Sequence, residues 1–234
     1  MKINRCMLSC LLTLVMVLSM LLCACDNKTP DPNGTITPNT QPASSDPVMS
    51  IGRIEGGVYT NRYVGFTMAL GSDWTYYSAE ELQELPDNVA DIFEGSEIGN
   101  AINTIEYFQD MVAENTNDMT TVNLLYQKMD MKTRLLYATM TEEEIIDSVL
   151  AESDALISSY AQAGILVETI EKATVTFLGK QRTAIKTVAT TNGVPYYILQ
   201  LYEYHLGQYS ATITFGSFVT DKTEGLLSLC KSLT

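Results

Sequence analysis

The chain has 234 residues, 46% of them hydrophobic and 18% charged, which is enough apolar material for one sizeable core and too little length for two generous ones. Lys+Arg number 14 against 28 Asp+Glu, a formal net charge of −14. An acidic chain without a basic block speaks against nucleic acid as a partner, because phosphate neutralisation supplies most of that affinity.

Residues 1–24 read as an address. Lys2 and Arg5 form a short positive start, and Met7 to Leu22 is an apolar run broken only by small polar residues. The run suits a secretory signal and is short for a membrane span of about 20 residues. It ends in Leu22-Cys23-Ala24-Cys25. This resembles the lipobox of bacterial lipoproteins, which implies diacylglyceryl transfer to Cys25 and cleavage before it. The mature chain then keeps 12 Lys+Arg against 28 Asp+Glu, or −16, and Cys230 is its one remaining thiol. Two acyl chains suffice for stable anchoring. The expectation is an extracytoplasmic protein, lipid-anchored to the bacterial cell membrane through Cys25.

Residues 25–57 read as a disordered tether. Five of the seven prolines (Pro30, Pro32, Pro38, Pro42, Pro47) lie there among Thr, Asn, Ser and Asp, with little to bury. A coil of about 30 residues spans roughly 30 Å. Residues 58–234 read as one domain.

Within it, Val58 to Asn61 and Gly65 to Leu70 predict two short strands, and Trp74 to Tyr77 a third. Ser78 and Glu81 form a capping box that starts a helix ending near Pro86. Asp87 to Thr104 is weakly helical. Ile105 to Glu114 and Thr121 to Met129 predict two strands joined by turn residues Asn115 to Asp118. Thr141 and Glu144 form a second capping box opening a long amphipathic helix. Ile145, Val149, Leu156 and Tyr160 make one apolar row and Ile146, Leu150, Ile157 and Ala161 the next, before Gly164 as a stop.

From Ile165 the period changes to two. Gly179-Lys180 predicts a turn, and Asn192-Gly193 a type I′ hairpin between two β-rich runs. Val194 to Leu206 is a long strand carrying Tyr196, Tyr197, Tyr202 and Tyr204. Gly207-Gln208 turns into Tyr209 to Phe218. Asp221 is expected to cap a closing helix with Leu226, Cys230 and Leu233 on one stripe. Strands joined by two-residue turns are antiparallel. The fold class expected is α+β, an antiparallel β-sheet flanked by α-helices.

Gly65-Phe66-Thr67-Met68-Ala69-Leu70, with Asp73-Trp74 close behind, resembles the opening of the PsbP and Mog1 superfamily. The later order of elements fits too: long helix, Gly179-Lys180 turn, Gly193 hairpin, Tyr-rich strand and Asp-initiated last helix. The resemblance implies a PsbP/Mog1-like α/β/α sandwich and an accessory, non-enzymatic role.

Chemistry is sparse. His205 is the sole histidine, so no Ser-His-Asp or Cys-His arrangement exists without it. The phosphate-loop, dinucleotide, nucleophile-elbow and His-Glu-x-x-His signatures are absent. Glu114, Asn115, Asn117 and Asp118 miss the spacing of a calcium loop and suit a solvated hairpin tip. Glu142 to Glu144 point in different directions on a helix and suit capping. Cys230 reads as a buried, inert thiol. No catalytic residue, metal site or cofactor is expected. The expected function is a non-catalytic binding or accessory module with a protein partner. The alternative is a small-ligand binder with a pocket between sheet and helices.

Overall fold

The computed structural model describes residues 52–83, 85, 106–151, 153–162 and 164–233. The expected signal, Cys25, most of the expected tether and the stretch from Asp87 to Thr104 expected as weakly helical lie outside these residues.

Two antiparallel sheets organise the domain. The smaller has four strands in the order β1-β2-β3-β11, formed by Arg53–Glu55 (β1), Val58–Asn61 (β2), Phe66–Ala69 (β3) and Cys230–Ser232 (β11). The larger has seven in the order β4-β5-β6-β10-β9-β8-β7. Its strands are Trp74–Tyr76 (β4), Tyr107–Asn115 (β5), Thr120–Lys128 (β6), Ile165–Phe177 (β7), Lys180–Thr191 (β8), Val194–Leu206 (β9) and Tyr209–Phe218 (β10). The helices are Met131–Tyr137 (α1), Glu142–Ala151 (α2), Ser153–Gln162 (α3) and Thr223–Leu227 (α4). A further helical turn at 79–83 starts from the expected capping box: Glu81 N–H donates to Ser78 Oγ at 3.2 Å, and Ser78 N–H donates to Glu81 Oε2 at 2.8 Å.

The turns form where the residues require them. Asn192 and Gly193 have φ of 51° and 76°, the left-handed pair of a type I′ turn that matches strand twist. β8 and β9 accordingly pair from Thr191 opposite Val194 to Ile185 opposite Gln200. Asn115 Oδ1 accepts from the backbone N–H groups of Asn117 and Asp118 and closes the β5–β6 hairpin.

The main core lies between the two sheets. Tyr59, Phe66, Met68 and Cys230 of the small sheet meet Met111, Val122, Leu124, Tyr126, Leu199, Leu201, Ile213 and Phe215 of the large one. Phe66, Phe177 and Phe215 form an edge-to-face series with centroids 6.3 Å apart at each step. A second cluster sits on the opposite, helix-side face, where Ile145, Ile146 and Val149 of α2 and Tyr137 of α1 pack on Ile185, Tyr202 and Tyr204.

The α/β/α sandwich is therefore a correction: the domain is mostly β, nearer a β-sandwich, with a second sheet where a layer of helices was expected. β2 and β3 form where strands were expected, but β1 lies in residues read as tether and β11 in the expected closing helix, so no local signal joined these four short strands into a sheet of their own. The closing helix is corrected as well. It stops at Leu227, and Cys230 to Ser232 instead pair with Met68 to Phe66. The long helix occupies Glu142–Ala151 and Ser153–Gln162, with residue 152 outside the description. Ile145, Val149 and Tyr160 of its first row are buried, while Ile157 of the second is exposed.

Candidate functional site

Two groups of buried polar side chains occupy opposite faces of the large sheet, and they differ in whether their hydrogen bonds are made. On the face toward the small sheet, Asp110 enters from β5 at a bulge between Gln109 and Met111. Tyr59 OH donates to its Oδ2 at 2.5 Å, Asn61 Nδ2 donates to Oδ2 at 2.8 Å, and Gly52 N–H reaches both oxygens at 3.0 and 3.1 Å. Asn61 Nδ2 also lies 2.9 Å from Tyr126 OH, and its Oδ1 accepts from Val64 N–H at 2.8 Å. Gly52 is required here, because a Cβ would sit 2.3 Å from the Tyr59 ring.

Burial pushes the hydroxyls of Tyr59 and Tyr126 well above the ordinary range, so both stay protonated. Burial also raises the Asp110 carboxyl, against the lowering effect of the donors from Tyr59, Gly52 and Asn61. This group is saturated: donors and acceptor meet one another. It behaves as a clasp between the sheets and leaves no group facing a ligand.

The helix-side face is different. Alternation in β6 puts Val122, Leu124 and Tyr126 into the main core and turns Thr121, Asn123 and Leu125 the other way. Asn123 stands opposite Thr214 of β10, and Thr214 opposite Gln200 of β9. A polar line thus crosses three central strands at one level. Thr121 and Thr212 flank it, and Glu114, opposite Thr121, accepts from Tyr77 OH at 3.1 Å.

All of these residues but the half-buried Tyr77 are buried, Asn123 completely. Yet neither Asn123 Nδ2 nor Oδ1 has a hydrogen-bond partner, and neither do the hydroxyls of Thr121, Thr212 and Tyr196. Gln200 Nε2 reaches Thr214 Oγ1 only at 3.4 Å, while Tyr202 OH donates to Gln200 Oε1 at 3.2 Å. A buried polar atom without a partner costs about 1–3 kcal/mol. The Asn123 amide and the hydroxyls of Thr121 and Thr212, on adjacent strands, form a buried strip of donors and acceptors whose hydrogen bonds are not made, with Tyr196 OH a further such atom beside Phe218. Its amide and hydroxyls are neutral donors and acceptors, with the buried Glu114 carboxyl beside Thr121.

Compared with models of known protein families and with curated proteins, the chain matches none.

The residues singled out in the sequence lie elsewhere or have structural tasks. Asn115 closes its hairpin, and Asp118 pairs with Lys222 at 2.9 Å. Glu144 caps α2 through Thr141, Glu143 meets Lys172 at 2.7 Å, and Glu142 meets Arg182 at 2.7 Å. Arg182 also holds Glu203 at 2.6 Å. Burial would lower its pKa, but the bonds to Glu142 and Glu203 outweigh that and raise it. Burial pushes the Cys230 thiol up to about 12. His205 lies in β9, and its side chain is outside the description. Tyr196, Tyr202 and Tyr204 share the helix-side face and are buried, so this tyrosine-rich surface is interior. The polar strip itself was missed. Its one sequence signal is Thr121, Asn123, Thr212 and Thr214 at alternate positions of otherwise apolar strands, a pattern that equally describes a solvated face.

Proposed function

We propose that the chain is an extracytoplasmic lipoprotein, anchored to the cell membrane by lipid on Cys25, whose domain is a non-catalytic binding module for a small, neutral, hydrogen-bonding ligand. The observation that carries the reading is Asn123, buried to the last atom with both ends of its amide unpartnered. Of the two expectations from the sequence, first a module with a protein partner and second a small-ligand binder, the unpartnered Asn123 amide favours the second. The lipobox at Leu22 to Cys25 supports the anchor.

The strip suits ligands with paired donors and acceptors, such as polyols, primary amides and nucleosides. The test is thermal unfolding of the mature lipidated protein with myo-inositol, glucose, glutamine and uridine, each in excess. A ligand that binds the native state raises Tm as its concentration passes Kd. The expected result is a saturable rise with at least one probe in the wild type and none in Asn123→Leu. A wild type unmoved by all four, or a rise that survives Asn123→Leu, overturns the reading.

A further inference from the structure

β1 is the edge strand of the small sheet and the first described element of the chain. Its three residues, Arg53, Ile54 and Glu55, are all exposed. A strand so short, paired on one side and burying little, opens more readily than the core. β1 pairs with β2 from Arg53 opposite Thr60 to Glu55 opposite Val58, and the chain turns between them at Gly56-Gly57, whose φ of 57° and 79° glycine adopts without strain. Its outer end is fastened differently. Gly52 lies against the ring of Tyr59, so close that a Cβ would come within 2.3 Å, and its N–H meets both oxygens of Asp110 at 3.0 and 3.1 Å.

Under this fastening lies a carboxyl without a counter-ion. Asp110 is 8% exposed, and among the described residues no Lys, Arg or His pairs with it. The titratable groups that face it are Tyr59 of β2 and Tyr126 of β6, both kept protonated by burial, with Tyr63 of the β2–β3 turn and Glu203 of β9 acting on Tyr126. Arg53 and Glu55 stand opposite Thr60 and Val58, on the other side of the sheet from Tyr59. Tyr59 OH, 2.5 Å from Asp110 Oδ2, serves either state of the carboxyl, because a phenol donates to the charged form and accepts from the neutral one.

Burial raises the Asp110 carboxyl against the lowering effect of Tyr59, Gly52 and Asn61, so the covered group holds its proton to a higher pH than one open to water. Lifting β1 lets water reach it and returns it to the ordinary range. The covered form is therefore favoured at low pH, loses ground as pH rises from about 4 to the raised value, and loses no more above it.

We propose that Gly52 and β1 form a pH-sensitive strap, which closes over the protonated Asp110 carboxyl and lifts as a unit about the Gly56-Gly57 turn when that carboxyl gives up its proton. Lifting bares the edge of β2 and frees residues 52–57. Six extended residues add about 20 Å to the chain outside the domain, so on the anchor reading the strap sets the reach of the tether. The opening itself depends on Asp110 and not on the anchor.

Hydrogen exchange of the full-length chain, followed residue by residue from roughly pH 4 to 8 and divided by the rates of the unstructured chain, reads the open fraction. The fraction for Gly52 to Glu55 should exceed that for Ile198 to Leu201 of the central strand β9 at least tenfold. It should rise by up to about tenfold per pH unit through the window and then stay level, as release of one proton requires. Asp110→Asn keeps an acceptor oxygen but has no proton to release, and should flatten the profile. Gly52→Ala drives a methyl into the Tyr59 ring and should leave 52–55 unprotected at every pH while β8 and β9 stay protected. It decides the matter even where Asp110→Asn does not fold. Exchange at 52–55 that only matches β9, a wild-type profile flat in pH, a slope that survives Asp110→Asn, or protection that survives Gly52→Ala overturns the proposal.

Discussion

Tyr59 and Asp110 join the two sheets of the domain: the phenol of β2 donates to the carboxylate of β5 at 2.5 Å, between layers that meet largely through apolar side chains. Every other donor around the carboxylate, from Gly52 and Asn61, belongs to the segment that leads into or forms the small sheet. Asp110→Ala leaves those donors buried without an acceptor, at about 1–3 kcal/mol for each group that water fails to reach. A loss of roughly 3–5 kcal/mol in urea-induced unfolding is expected, against about 1–2 kcal/mol for Tyr59→Phe, which leaves the acceptor its other donors. Equal losses for the two variants would contradict the clasp.

The same carboxyl sets a pH dependence. Burial holds the native pKa of Asp110 above its ordinary value, so in the window between about 4 and the raised value the folded chain keeps a proton that the unfolded chain has released. Stability therefore falls as pH rises through that window and is level above it. Asp221 acts in the opposite sense. Burial raises it, but Lys186 at 2.8 Å and the donors of Thr223 outweigh burial and hold it low, so its contribution is present above its ordinary range and is lost as pH falls through the lowered value. Unfolding free energies measured from roughly pH 3 to 8 should show both limbs in the wild type, with Asp110→Asn abolishing only the upper one. An upper limb that persists in Asp110→Asn would assign it to another group.

Arg182 connects three elements at once, donating to Glu142 of α2, to Glu203 of β9 and, at 3.0 Å, to the carbonyl of Tyr202. Its side chain is only 18% exposed, so water replaces these bonds poorly. Arg182→Ala should lower stability by about 2–3 kcal/mol, and Arg182→Lys should restore less than half of that, because an ammonium cannot reproduce the planar fork. Full recovery by lysine, measured by thermal or urea unfolding, would reduce the site to a simple charge contact.

Asn123→Leu should make the protein more stable. Replacing an unpartnered buried amide by an apolar chain of similar length removes a desolvation penalty of about 1–2 kcal/mol. Most buried substitutions destabilise, so the sign is diagnostic of a polar group kept for something other than folding. A clear drop in Tm for Asn123→Leu would mean that the amide is satisfied in solution.

Cys230 should resist thiol reagents in the native state. Its thiol is buried against Phe66 and Met68 and is pushed up to about 12, so little thiolate exists at neutral pH. Labelling is expected to follow global unfolding, with a rate that rises with urea in step with the unfolded fraction. Prompt labelling in buffer would show that β11 detaches from β3 locally.

Local chemistry alone was enough to place much of this domain. Ser78 with Glu81 and Thr141 with Glu144 start helices because each hydroxyl and carboxylate lies three residues apart and satisfies the other's backbone donor. Asn192-Gly193 turns because both residues accept a left-handed backbone, and the Tyr196-to-Tyr204 run is a strand because its neighbours are β-branched or aromatic. These interactions are settled within a few residues of chain, so composition and spacing express them. Tertiary structure alone decided that Lys231 pairs with Thr67, 164 residues away, and so created the second sheet. It also decided that Asn123 and its threonine neighbours face the interior rather than water, and that Met131, Leu135 and Leu136 face water rather than the core. A polar residue at an alternate strand position, or a leucine on a short helix, has the same local preference in either setting. Which one it meets depends on the elements packed over that face, and those come from distant parts of the chain.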